Sequence, residues 1–160
     1  MSQVLSSFLH GVPGAVSRSA DAVIVSLPNA GDAPIPPGAP VFLSADGSGV
    51  TLTQADSAFG RFVGIAVRIP SRAPEVYGAN TAPYAGNDPV DILVRGAVVV
   101  SLKNEACEPG GAVWLTLADG SFTTEETENE TIRLANCSWR RSADIGDGCA
   151  ELVILSRNLI

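Results

Sequence analysis

The stretch Val90-Asp91-Ile92-Leu93-Val94-Arg95-Gly96-Ala97-Val98-Val99-Val100-Ser101-Leu102 decides the fold class. It is the most apolar and most β-branched run in the chain, broken by Asp91, Arg95 and a central glycine, Gly96. β-branched side chains are stiff at χ1 and suit a pleated surface better than a helix. A glycine inside such a run marks a bulge, a bend or the close approach of another backbone. The run therefore reads as one long bent strand, or two strand halves, at the centre of a β-sheet core.

Shorter strands flank it. Ala22-Val23-Ile24-Val25-Ser26-Leu27 is one. A Gly/Pro-rich stretch from Pro28 to Pro40 follows and reads as a structured loop, because a strand resumes at once with Val41-Phe42-Leu43. Ala45-Asp46-Gly47-Ser48-Gly49 is a hairpin turn signal before Val50-Thr51-Leu52. Residues 54–60 have room for one helical turn. Arg61 to Ile69 reads as a strand with a bulge at Gly64, and Pro70 to Asp88 as a second long loop carrying Tyr77 and Tyr84.

The second half echoes the first. Pro37-Gly38-Ala39-Pro40-Val41-Phe42-Leu43-Ser44 matches Pro109-Gly110-Gly111-Ala112-Val113-Trp114-Leu115-Thr116, and Asp46-Gly47-Ser48 matches Asp119-Gly120-Ser121. Arg61 to Arg68 aligns with Arg133 to Arg140, and each copy ends in an apolar strand, Val90 to Val94 and then Glu151 to Leu155. Two similar β-units packed together are expected. The fold class is all-β, a small β-barrel or jelly-roll-like sandwich with long loops and little helix. Residues 1–14 read as an N-terminal arm, with Val4, Leu5, Phe8 and Leu9 on one face and the breaker Gly11-Val12-Pro13-Gly14 behind them; a frayed terminus is the other reading. Residues 15–160 form the single β domain. Deleting residues 1–14 is expected to leave a folded chain that no longer binds its partner or no longer oligomerises.

Composition narrows function. A chain of 160 residues with 46% hydrophobic residues suits one domain with a real core. No apolar run approaches the ~20 residues of a spanning helix, so no membrane is implied. Met1 to His10 lacks the charged start and long apolar centre of a signal peptide, and synthesis in a cytoplasm is expected. The net charge of −7 opposes nucleic-acid binding, which depends on neutralising phosphates. Nine of the ten basic residues are Arg, the residue favoured at protein interfaces, although a GC-rich genome has the same effect. Cys107, Cys137 and Cys149 form no CxxC pair, as expected of free thiols.

Reactive chemistry finds little support. The sole histidine, His10, lies in the arm, so a nucleophile and base elsewhere would lack it. Cys and His are too few and too scattered for zinc, and Glu125, Glu126, Glu128 and Glu130 lack the glycine and alternating ligands of a calcium loop. Asp88/Asp91 and Asp144/Asp147 read as turn residues before strands rather than a glycosidase pair. No catalytic residue, cofactor or metal site is expected. Trp139, flanked by Ser138 and Arg140-Arg141, has the composition of an interface hot spot, with core packing as the alternative.

The chain resembles the structural cement, or head-decoration, proteins of tailed bacteriophages. The resemblance rests on Gly11-x-Pro13-Gly14 with Ser17-Arg18, on Ile35-Pro36-Pro37-Gly38 before Val41-Phe42-Leu43, and on Phe62-Val63-Gly64-Ile65-Ala66. It continues with Tyr84, Gly86-x-Asp88-x-Val90-x-Ile92-Leu93-x-Arg95-Gly96, and Pro109-Gly110-Gly111-Ala112-Val113-Trp114. It implies a virion protein without enzymatic activity, assembled in the host cytoplasm on the capsid exterior. There it bridges adjacent major capsid proteins, as a homo-oligomer with a trimer ahead of a dimer. Leu5, Phe8, Leu9, Pro13, Arg18, Arg72, Tyr77, Tyr84 and Trp139 are the candidate partner-binding residues. Two other readings remain. A tail or fibre β-module binding host glycans needs Tyr77, Tyr84 and Trp139 to converge on an exposed face. A small hydrolase needs His10 in a cleft.

Overall fold

A computed structural model describes residues 11–52, 61–69 and 82–157. Among the described residues, nine strands form one continuous antiparallel system: β1 (Val23–Pro28), β2 (Pro40–Leu43), β3 (Val50–Thr51), β4 (Phe62–Ala66), β5 (Pro89–Ser101), β6 (Ala112–Thr116), β7 (Phe122–Thr123), β8 (Thr131–Trp139) and β9 (Cys149–Ile154). The spatial order is β3-β2-β4-β5-β9-β8-β6-β7, with β1 also paired to β5. The helix among the described residues is one 3-10 turn, Ser19–Asp21. The expected helical turn at 54–60 and most of the second loop, residues 70–81, lie outside the described residues.

The decisive run is a single strand, β5, bent at Gly96. Its first half pairs with β1 and β4, and its second half, Gly96 to Ser101, pairs with β9. Gly96 has φ 121, a conformation that L side chains rarely adopt, and a Cβ there would meet the Ala22 Cα at 3.0 Å. The bend changes which face each residue serves. Val90, Ile92 and Val94 pack into one apolar cluster with Ile35, Val41 and Tyr84. Val98, Val100 and Leu102 pack into a second, with Trp139, Leu152 and Leu115. A regular strand would keep these even-numbered side chains on one face. Gly96 reverses the alternation, so a single strand fills two cores.

The expected echo is a repeat of strand pairing. In the first unit β2 pairs with β3 and β4, and β4 with β5. In the second β6 pairs with β7 and β8, and β8 with β9. The details recur as well. The bridge Ile35↔Tyr84 has its counterpart in Cys107↔Ala143. Asp46 accepts hydrogen bonds from the Ser48 amide and hydroxyl, as Asp119 does from those of Ser121. Asp88 caps the Ala85 amide before β5, and Asp147 caps that of Asp144 before β9. In each unit the strand facing the last one is the first: β1 opposite β5, then the second half of β5 opposite β9. Thus β5 ends one unit and begins the other.

The bulge expected at Gly64 is present, as the register shifts between Val41 and Phe42 opposite it. Gly64 is needed for space: a Cβ there would run into the Leu93 carbonyl oxygen of β5. The Pro28–Pro40 loop is structured by Asn29, buried, whose amide donates to the carbonyls of Ala33, Tyr84 and Ala85. Gly96→Ala is expected to destabilise the chain by about 1–3 kcal/mol through the strained φ. The midpoint of urea unfolding reads this directly, and an unchanged midpoint would mean the bend does not depend on glycine.

Candidate functional site

The segment leading into the domain is built into it. The expected arm divides at Gly11: residues 1–10 lie outside the described residues, while Gly11 to Ser17 are packed against the second half of β5. The Gly14 amide donates to the Val99 carbonyl, the Val99 amide to that of Ala15, and the Ser17 amide to that of Ala97. Gly14 also accepts from the Arg68 amide. Pro13-Gly14 and Pro37-Gly38 form two turns in contact, each glycine with positive φ. A Cβ on Gly14 would lie 2.7 Å from the Pro37 Cβ, and one on Gly38 would lie 2.7 Å from the Pro13 Cβ. The motifs Gly11-x-Pro13-Gly14 and Pro36-Pro37-Gly38 are therefore halves of one contact.

A buried ion cluster holds the next turn. Glu151 on β9 is 4% exposed. It pairs with Arg140 through Oε1 and with Arg141 through Oε2 at 3.1 Å, and it accepts a 2.5 Å hydrogen bond from the Ser17 hydroxyl. A buried carboxylate needs such partners to offset its desolvation. The cluster ties the segment Gly11 to Ser17 to β9 through the Ser17 hydroxyl. A groove of about 530 Å³ runs between the two units. Pro13, Pro36 and Pro40 line it on the side of the first unit, and Lys103, Glu105 and Thr123 on that of the second. Glu105 is engaged there: it accepts from the Thr123 and Thr124 hydroxyls and from the Thr124 amide at 2.6 Å.

The candidate partner-binding residues do not gather in one place. Leu5, Phe8, Leu9, Arg72 and Tyr77 lie outside the described residues. Pro13 sits in the anchoring turn and lines the groove. Arg18 is exposed, with its Nε 3.9 Å from Asp21. Tyr84 is 0% exposed, and its hydroxyl donates to the Val67 carbonyl at 2.6 Å. Trp139 is 1% exposed and packs beneath Gly111 in the larger core. Tyr84 and Trp139 are thus core side chains, and neither supplies the exposed aromatic platform that glycan binding requires. The arginines beside Trp139 face outward and hold Glu151. What the sequence did not reveal is this cluster and the strand-like pairing of residues 14–17, where Val16 is the one β-branched residue among Gly14, Ala15 and Ser17.

The described residues offer no activated nucleophile. Burial pushes the Cys137 thiol up to about 12. Burial also raises Cys107 and Cys149, helped in both by the charge of Asp147. Raised thiols are poor nucleophiles at neutral pH. No group of three or more His, Cys, Asp or Glu suited to a metal occurs among the described residues. The most perturbed acid is Asp46, held at about 2 by hydrogen bonds from Ser44 and Ser48. That is turn chemistry, and it is repeated at Asp119, lowered by Ser121.

Two predictions follow from these groups. Asp46 titrates below its ordinary 3.8, so the stability it contributes is present above about pH 4 and is lost as the pH falls through 2. Asp46→Ala should therefore be less stable than the parent at pH 7 and lose that difference at pH 2; a gap that persists in acid would refute the turn's role. Glu151→Ala should cost about 2–3 kcal/mol, less than the ~3–5 of a fully buried pair because Arg141 reaches water. Chemical denaturation measures it, and amide exchange at Gly14 to Ser17 should speed up in the same variant.

The comparisons with known proteins agree with this architecture. The sequence matches the family described as structural cement protein (E217 gp24/Pam3 gp6) over residues 3–158. Among solved structures, a chain from "The capsid of Myoviridae Phage XM1" superposes with a TM-score of 0.73 at 14% identity, covering 99% of this chain and 96% of that one. No curated protein matches. At that identity the structural likeness speaks for the fold, and the family match carries the assignment: the chain belongs to the phage structural cement protein family, a family of capsid-associated structural proteins.

Proposed function

We propose that this protein binds the outer surface of an assembled phage head and bridges adjacent major capsid proteins, stabilising the shell without chemistry. The observation that carries this reading is the family match across residues 3–158, nearly the whole chain. Three physical features support it. The net charge of −7 suits the outside of a head, away from packaged DNA whose phosphates would repel it. Among the described residues Cys107 and Cys137 are buried, Cys149 is half-buried with a raised thiol, and Asp46 is engaged in its turn, so these groups serve folding. The N-terminal segment is anchored by Ser17 and Glu151, so whatever residues 1–10 grasp is coupled to the sheet.

The mechanism is mechanical. Each copy spans a seam between capsomers, and expansion or leakage of the head must break many modest contacts together. Linked sites raise the overall resistance without any very tight single contact. Oligomerisation, with a trimer ahead of a dimer, multiplies the effect by engaging several capsid subunits at once. Arg18, Arg72 and Tyr77, with Leu5, Phe8 and Leu9 of the arm, are the proposed partner contacts.

The test is cryo-electron microscopy of purified particles together with co-sedimentation on heads. Density astride capsomer seams on the exterior is expected, and density at the tail or inside the head would overturn the reading. A chain lacking residues 1–10 should keep its unfolding midpoint, because the cut spares Gly14 and Ser17, yet bind heads at least about tenfold more weakly. Undiminished binding would remove the arm from the interface.

A further inference from the structure

The two units differ at one edge. In the second unit the outer edge of the opening strand is covered: Ala97 and Val99 of β5 exchange main-chain hydrogen bonds with residues 14–17. In the first unit the opening strand is β1. Its Val25 faces Ile92 as Val98 faces Leu152, which makes Ile24 and Ser26 the counterparts of Ala97 and Val99. Among the described residues, β1 has β5 as its one strand neighbour. Among the described residues its outer edge is open from Val23 to Leu27. Beyond that β3 meets the chain, with the Ala30 amide donating to the Val50 carbonyl. The strand carries no charge, and Val23 and Ile24 are 40% and 46% exposed. Natural edge strands are normally protected by Lys, Pro, bulges or a cover.

We propose that this edge pairs with β1 of a second copy, antiparallel across a two-fold axis, with Val25 opposite Val25. The register follows from the groups available. Outward-facing Ile24 and Ser26 must meet outward-facing residues, and pairing Ile24 with Ser26 of the second copy does so twice, giving a ladder of about four main-chain hydrogen bonds. Moving the centre to Ser26 would set Ile24 against Pro28, which has no N–H to give. The chosen register also fits the open stretch, since Val23 then faces Leu27 of the second copy. Charge favours a copy of the same chain running in reverse. The end of β1 next to Arg18 and Arg95 is brought toward the end that carries Asp32 and Asp88, although Asp21 offsets part of the charge at the first end. The contact joins copies in pairs, whether or not they also gather around a three-fold axis, and it does not depend on head binding.

The full chain in solution provides the test. Sedimentation should show two-fold association that strengthens with concentration. Ile24→Lys/Ser26→Lys places like charges across the axis at two exposed positions, and should raise the dissociation constant of the pair by more than about tenfold while leaving the unfolding midpoint in place. Val25→Cys, made with Cys149→Ser to suppress background, should form an intermolecular disulfide under mild oxidation, because a non-hydrogen-bonded pair sets Cα atoms ~4.5 Å apart. Two results would overturn the proposal: no disulfide from Val25→Cys, or an unchanged assembly mass in the double-lysine variant. If that variant kept its mass but lost head binding, the edge would belong to a strand of the capsid protein.

Discussion

Everything in this fold hangs on the sharing of β5 by two units. Its first half closes the first unit against β1 and β4, and its second half opens the second unit against β9. Such sharing is possible because Gly96 reverses the alternation of side chains partway along the strand. Without that reversal Val98 and Val100 would point away from the core that Trp139 and Leu152 fill. The two cores thus share one strand. A displacement of β5 in one unit is felt in the other, and the chain should unfold as a whole.

The shared strand also explains the Gly/Pro motifs outside it. Gly64 lets β4 lie hard against the Leu93 carbonyl. Pro13-Gly14 and Pro37-Gly38 bring the N-terminal segment and the entry to β2 into contact, beside the point where Arg68 leaves β4. The segment then covers the one edge of β5 that the second unit leaves open. Glu151 secures it from the far side through Ser17, and Arg140 and Arg141 neutralise the carboxylate. A buried ion pair is weak evidence for stability, because its desolvation is costly. Its value here is positional, since it fixes the N-terminal segment in place along β5.

Much of this was legible in the residues. The run from Val90 to Leu102 announced its strand through β-branched side chains, and Gly96 announced the bend. The two units were visible because turns need particular residues: Asp-Gly-Ser and Pro-Gly recur where the backbone conformation demands them. The surface was less legible. An aromatic beside arginines has the same composition whether it faces a partner or the core, and Trp139 goes inward while its neighbours turn out. Tyr84 looked free in a long loop, yet the bridge to Ile35 draws it into the first core. Pairings between distant segments, such as Ser17 with Glu151 or Ala15 with Val99, leave no local pattern to read.

A protein that acts by holding its neighbours needs its own interior to outlast the contacts it makes. The architecture meets that need at β5, which is hydrogen-bonded on both edges, by β1 and β4 in its first half and by residues 14–17 and β9 in its second. To pull the N-terminal segment away, a load must break the pairing at Ala97 and Val99 together with the Ser17–Glu151 link, because all of them fasten the same few residues. Under the proposed function, tension arriving through residues 1–10 would meet both units at Gly14, through Val99 in the second and through Arg68 and the Pro37-Gly38 turn in the first. The first unit keeps the open strand edge. In the second unit residues 14–17 occupy the matching edge of β5, so two similar units supply one closed edge and one open one, which a single unit cannot.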